Sequence, residues 1–252
     1  MIEEIIFNLL LITFGFSSIL VFIVLIFVSA PYGKLIRDDW GPTLNNKLGW
    51  FFMELPTIVI YPILFFLGNK TTQLLSIVFL IIWLSHYIHR TLIFPFLIRG
   101  KNTMPILIMV FGMLFNAINT YLQARWINTF SSGYSILWII SPNFLIGIII
   151  FFSGYVINLY SDYIIRNLRN PGERTYRIPR GGLYRLVSCP NYLGEIIEWG
   201  GWALMTWSLP GLIFFIWTFA NLAPRAKSTH EWYESRFMEY PKERKVLIPY
   251  IF

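Results

Sequence analysis

Seven long apolar segments, spread along nearly the whole chain, decide what this sequence can fold into. They run near 5–30, 48–68, 72–98, 104–124, 140–166, 192–208 and 210–236. A bilayer core roughly 30 Å thick needs about 20 mostly apolar residues per helix, and each segment meets or approaches that length. The runs are continuous and lack a period of two, which excludes a β-barrel. Only 13% of the residues are charged, about half the share of an average soluble domain, so a water-soluble globule is excluded too. High apolar content rules out disorder, and the lone Cys189 rules out a disulfide scaffold. The expected fold is all-α: a polytopic membrane protein, a seven-transmembrane-helix bundle forming a single domain over 1–252. The acidic start Met1-Ile2-Glu3-Glu4 lacks the basic flank of a cleaved signal peptide.

Such a chain must place its +7 charge somewhere. Lys34, Arg37 and Lys47 follow the first span; Arg90, Arg99 and Lys101 close the third. Arg166, Arg169, Arg174, Arg177, Arg180 and Arg185 follow the fifth, and Arg225, Lys227, Arg236, Lys242, Arg244 and Lys245 end the chain. Eighteen of the 20 basic residues therefore fall on one side, leaving Lys70 and Arg125 on the other. The positive-inside rule then places the N-terminus outside and the C-terminus in the cytoplasm.

Ionisable groups inside a span are costly and point to function. Glu54 lies in WFFMELP (50–56), the third span carries SHYIHR (85–90), and the sixth opens with Asn191, Glu195 and Glu198. Asn158, Asp162, Arg166 and Arg169 recur at spacings of four, four and three, which predicts a polar stripe facing the bundle interior. Four spans contributing such groups predict a shared polar cavity. His86 and His89 come without HExxH, a Cys pair or a carboxylate-rich set, so no metal site is expected. There is no GxSxG, and Cys189 reads as a packing residue. The Arg- and Pro-rich stretch 167–191 has too many turn residues for a tether, and Arg forks suit phosphate groups. It reads as a cytoplasmic loop capping a polyanionic cofactor, although a lipid-headgroup patch fits the same charges. Neither GxGxxG after a strand nor GxxxxGK[ST] is present, so side chains of helices and loops must hold any nucleotide.

These stretches resemble the steroid 5α-reductase family of integral membrane reductases. NLYSDYIIRNLR (158–169), NPGERTYRIPRGGLY (170–184), NYLGEIIEWGGWAL (191–204) and PKERKVLIPYIF (241–252) follow the family pattern in order, and the likeness continues upstream through SHYIHR and WFFMELP. The resemblance implies an NADPH-dependent oxidoreductase that reduces the 4,5 double bond of 3-oxo-Δ4-steroids. It implies that Glu54 and Tyr87 hold the 3-keto oxygen, as catalytic residues. It implies cofactor contacts from Asn158, Asp162, Arg169, Tyr176, Arg177, Asn191, Glu195 and Tyr233, with Trp199 nearby and Arg90, Arg99 and Lys101 at the cytoplasmic mouth. Two positions depart from mammalian members: Met53 stands where they have Gln, and their His cluster is reduced to Lys227-Ser228-Thr229-His230.

The chemistry is consistent with those residue types. Hydride addition to an enone β-carbon builds negative charge on the ketone oxygen, which fixed donors stabilise. Tyr87 can donate; Glu54 can orient it, or donate if protonated. The alternatives are a membrane methyltransferase using S-adenosylmethionine, whose cofactor needs no Arg-rich cap, and a lipid or sterol transporter without chemistry, which would be expected to show repeats. The expected partners are a steroid-like substrate and the bilayer, with no nucleic acid, and the chain is expected to be a monomer. Its setting would be a bacterial inner membrane, or the endoplasmic reticulum in a eukaryote.

Overall fold

The computed structural model describes residues 2–31, 33–99, 102–168, 170 and 175–252. Its long elements are helices: α1 (Ile2–Phe27), α2 (Asn46–Phe66), α3 (Leu74–Ile88), the short α4 (Phe94–Leu97), α5 (Ile106–Arg125), α6 (Pro142–Asn167), α7 (Pro190–Thr206) and α8 (Leu209–Arg236). A π-helical turn, His89–Ile93, joins α3 to α4, and another, Trp126–Phe130, extends α5. Helix ends fall within about a turn of the expected spans. Five stretches are long and apolar enough to cross a membrane: Ile2–Phe27, Asn46–Phe66, Leu74–Leu97, Ile106–Phe130 and Pro142–Asn167. By contrast, α7 has only 17 residues and carries two glutamates, while α8 begins apolar and closes on charged turns.

The surface distribution is that of a membrane protein. Ile5, Leu9, Ile12, Phe16 and Ile19 of α1, Leu145, Ile149 and Val156 of α6, and Phe111 and Leu114 of α5 are exposed, while Asn46, Glu54, His86, Asn116, Asn158 and Glu198 are buried. In water that arrangement would expose apolar area; in lipid the apolar surface faces the tails and the polar groups are kept away from them. On α1 the buried side chains Phe7, Leu11, Phe14 and Ser18 recur every three or four residues, giving one inward stripe. Trp217 Nε1 donates to the Phe14 carbonyl at 2.6 Å and anchors that stripe to α8.

Glycines set the tightest packing. A Cβ at Gly147, Gly154, Gly194 or Gly201 would lie under 3.0 Å from backbone of the facing helix, so α6 and α7 meet backbone to backbone. The tight turn between α7 and α8 has Trp207 in the left-handed region (φ 44°), and Ser208 caps α8 by accepting from Gly211 N at 3.1 Å.

The two ends of the bundle are separately laced. At one end Thr43–Asn45 (β1) pairs antiparallel with Thr103–Pro105 (β2), Leu44 opposite Met104. Also there, Ser29 Oγ donates to Ser228 Oγ at 3.0 Å, joining the ends of α1 and α8. At the other end Arg125 meets Glu3 at 2.6 Å, and Lys70 Nζ donates to the Thr129 carbonyl at 2.9 Å. Aromatic residues fill the interior between them: Tyr61, Phe79, Trp83, Tyr87, Phe151, Trp199, Trp202 and Phe214 form one buried cluster.

Candidate active site

The seam between α6 and α7 continues past its glycines into polar residues. Asn158 Nδ2 donates to the Asn191 carbonyl at 3.0 Å and to Glu195 Oε2 at 3.4 Å, and Asn191 Nδ2 donates to Asp162 Oδ1 at 3.1 Å. Across from this seam stands Arg90, just past the end of α3. Its guanidinium lies 3.4 Å from Asp162, 3.6 Å from Glu195 and 4.0 Å from Glu54, and so joins carboxylates of α6, α7 and α2. The ring centroids of Trp50 and Phe94 lie 4.6 and 4.5 Å from its Cζ, within cation–π range of both.

Glu54 faces this cation from α2, with its other oxygen, Oε2, bonded by Asn116 Nδ2 at 2.9 Å. Tyr87, one helix away, is buried, and its hydroxyl makes no hydrogen bond to any described residue. Its ring stacks on Trp199, centroids 5.6 Å apart, and packs against Trp83. Beneath it, His86 Nδ1 meets Glu198 Oε1 at 2.7 Å, both fully enclosed. His86 is thus engaged by Glu198, which turns into the core instead of toward Arg90.

A cavity of about 930 Å³ connects these groups. Apolar and aromatic side chains of α1, α5 and α8, among them Leu20, Val24, Phe111, Phe115, Phe214 and Trp217, wall one part of it. Glu54, Tyr87, Arg90, Asp162, Asn191, Glu195 and Trp199 also line it, as do Lys34, Arg99, Arg166, Tyr176 and Arg225. A smaller space of about 90 Å³ lies against the same segment and is lined by Lys34, Tyr176, Arg177, Asn191, Thr229 and Tyr233. The volume of the larger cavity lies at the upper end of the roughly 300–1,000 Å³ typical of small-molecule sites. Its lining combines apolar walls, acidic and amide groups, and cations. That combination accepts a flat apolar ligand beside one with hydroxyls and an anionic end.

Nine of the residues singled out from the sequence thus line one cavity: Glu54, Tyr87, Arg90, Arg99, Asp162, Tyr176, Asn191, Glu195 and Trp199. Arg177 and Tyr233 line the smaller space, where Tyr233 stacks on Tyr240 at 5.3 Å and lies beneath Lys34. Asn158 lies one layer behind the wall and reaches the cavity through Asn191 and Glu195. Arg169 and Lys101 lie outside the described residues. Thr229 faces both spaces, whereas His230 turns away to Ser188 Oγ at 2.5 Å and Glu234 at 3.3 Å. Cys189 is buried, which pushes its thiol up to about 11, in keeping with a packing role.

Sequence reasoning missed Asn116, Trp50, Tyr192, and the site role of Lys34 and Arg225. The one available signal was Asn116 itself, an amide within an apolar span.

Comparison with known proteins adds a second, independent line. The profile of the family described as 3-oxo-5-alpha-steroid 4-dehydrogenase matches residues 102–252. The chain is 41% identical to steroid 5-alpha-reductase DET2 of Arabidopsis thaliana, over 98% of this chain and 97% of the relative. It is 42% identical to 3-oxo-5-alpha-steroid 4-dehydrogenase 1 of Rattus norvegicus (94% and 92% covered) and 43% identical to the Homo sapiens protein of the same name (89% and 87%).

Proposed function

Since the chain belongs to the 3-oxo-5-alpha-steroid 4-dehydrogenase family, a family of oxidoreductases acting on CH–CH bonds, we propose that it reduces the 4,5 double bond of a 3-oxo-Δ4-steroid, giving the 5α-reduced 3-oxosteroid, with NADPH as reductant. One observation carries the reading: Glu54 and the unengaged Tyr87 hydroxyl share a single cavity with apolar side chains and with Lys34, Arg90, Arg99, Arg166 and Arg225. Family membership leaves the methyltransferase and transporter alternatives without support.

The donor set fits the cofactor. Arg177, Arg99 and Lys34 suit the phosphates, and the family resemblance assigns Arg169 and Lys101 to the same role. Asp162, Asn191 and Glu195 suit hydroxyl and amide groups, Asn158 supports them from behind, Tyr176 and Tyr233 close the mouth, and Trp199 offers a flat wall. The chemistry NADPH brings when bound is hydride donation to the enone β-carbon. The chain's own work is at the ketone. Tyr87 Oη donates to the oxygen as negative charge develops there, and Glu54 supports it from α2. Solvent supplies the proton to the α-carbon. The aromatic and aliphatic walls keep other water away, which strengthens both contacts.

This reading includes seven membrane crossings, the N-terminus outside, the C-terminus cytoplasmic, and the 167–191 loop closing over the cofactor. The test incubates purified protein with NADPH and a Δ4-3-ketosteroid, following nucleotide oxidation and product mass. Steroid-dependent oxidation is expected, with Glu54→Gln and Tyr87→Phe each lowering kcat about a hundredfold or more while nucleotide affinity holds. Full activity in both variants, or no steroid-dependent oxidation, overturns the reading.

A further inference from the structure

Glu54 is held by a residue on another helix that the scheme above leaves idle. Asn116, midway along α5 and 5% exposed, lines the cavity. Its Nδ2 donates to the Met53 carbonyl at 2.8 Å and to Glu54 Oε2 at 2.9 Å. A main-chain carbonyl can only accept, so Met53 alone fixes which way the amide faces: nitrogen toward α2. That nitrogen then meets Oε2 as a donor, so Oε2 must be an acceptor. A proton on the carboxyl is therefore favoured on Oε1, since the hydroxyl oxygen of a carboxylic acid is the weaker acceptor. Oε1 is 4.0 Å from the Arg90 Nε, too far for a hydrogen bond.

The backbone at Glu54 is fixed independently. Its carbonyl accepts from Thr57 Oγ1 at 2.6 Å and from Thr91 Oγ1 at 3.4 Å. What remains to be set is the side-chain torsion, and among the described residues Asn116 supplies the one amide hydrogen bond to the carboxyl. Met53 cannot, because its thioether packs against Gly112, one turn earlier on α5, where a Cβ would collide with it.

The geometry points to Asn116 as the positioning residue of Glu54: it fixes the carboxyl rotamer and reserves Oε1 for the substrate's carbonyl oxygen. This rests on the reading of Glu54 as a ketone-binding group. A catalytic carboxyl must lie within hydrogen-bond reach of its target, and misplacement by about 1 Å can cost on the order of a hundredfold in rate.

The test measures kcat and KM of the full chain in lipid nanodiscs for wild type, Asn116→Asp (same shape, no N–H), Asn116→Leu and Glu54→Gln, plus the Asn116→Leu/Glu54→Gln double variant. Tryptophan quenching by NADPH without steroid reports the fold and nucleotide site separately. Asn116→Asp and Asn116→Leu are expected to lose kcat on the order of a hundredfold, with steroid KM moving less than about threefold and quenching unchanged. In the Glu54→Gln background, Asn116→Leu is expected to cost nothing further, since it acts only through that carboxyl. Wild-type kcat in both Asn116 variants beside an impaired Glu54→Gln overturns the proposal alone. Equal losses in both backgrounds, or lost quenching in both single Asn116 variants, overturn it too, as marks of a bundle disturbed as a whole. A fully active Glu54→Gln removes the reading of Glu54 and this proposal with it.

Discussion

One guanidinium at the centre of the site gathers three carboxylates that would repel one another without it. Arg90 is 12% exposed in its side chain, so its contacts with Glu54, Asp162 and Glu195 are only weakly screened. Removing one partner from a buried ionic set typically costs about 3–5 kcal/mol, because the remaining charges are left uncompensated. Arg90→Met is therefore expected to lower stability by about that amount. Adding Asp162→Asn should recover part of the loss, since one unpaired carboxylate goes with it. Thermal unfolding in detergent measures both, and an unchanged midpoint for Arg90→Met refutes the account. The carboxylates themselves are legible in the sequence, because an acid in an apolar run stands out. Their cation is not: Arg90 ends SHYIHR and counts there as one of several mouth residues. How far it reaches into the bundle depends on the packing of α2, α6 and α7 around it. Asn116 is hidden for a related reason. A lone amide in a span is compatible with many partners until α5 is known to lie against α2. His230 and Thr229 show the same limit within one helix, where register alone decides which of two neighbours faces the cavity.

The helices themselves are easier to read than their contacts. Apolar length gives the long helices, and the turn at Ser208 and Pro210 is visible as a break. The α6–α7 seam is not visible, because Gly147, Gly154, Gly194 and Gly201 acquire meaning only when the two helices run antiparallel with these positions opposed. That seam brings Asn158 and Asp162 to Asn191 and Glu195, so packing at one end sets chemistry at the other. Gly194→Ala puts its Cβ against backbone at Asn158, which cannot give as a side-chain tip can. It should lose roughly 1–3 kcal/mol through overpacking, with weakened nucleotide binding as the seam opens. Gly200→Ala is the matched control on the same helix, since its Cβ meets only the Phe215 ring at 3.3 Å. Unfolding midpoints and nucleotide titration of the two variants check this. Equal behaviour would mean that the seam is not what holds the polar residues in place.

At the scale of the whole chain, the charge asymmetry gains a structural counterpart at its two exceptions. Arg125 is paired with Glu3, and Lys70 is turned onto main-chain carbonyls, where burial holds its ammonium below the ordinary value. Neither presents an open cation on the side that the positive-inside rule leaves poor in them. The remaining question for topology is α7 and α8, which length and hydropathy alone do not class as spans, one being short and acidic and the other ending in charge. They form a hairpin whose turn lies outside if both cross, and stays cytoplasmic if neither does. Thiol labelling separates the cases with little background, because the single native Cys189 is buried and its thiol is held up near 11. In right-side-out vesicles, a membrane-impermeant maleimide is expected to label Ser132→Cys and Leu209→Cys directly, and Glu239→Cys only after permeabilisation. All three positions are exposed. Labelling of Ser132→Cys but not Leu209→Cys from outside leaves five crossings, with α7 and α8 held on the cytoplasmic face. The reverse pattern at Ser132 and Glu239 inverts the orientation. Only the expected pattern puts the small space lined by Lys34, Tyr176 and Arg177 on the side from which the proposed nucleotide would arrive.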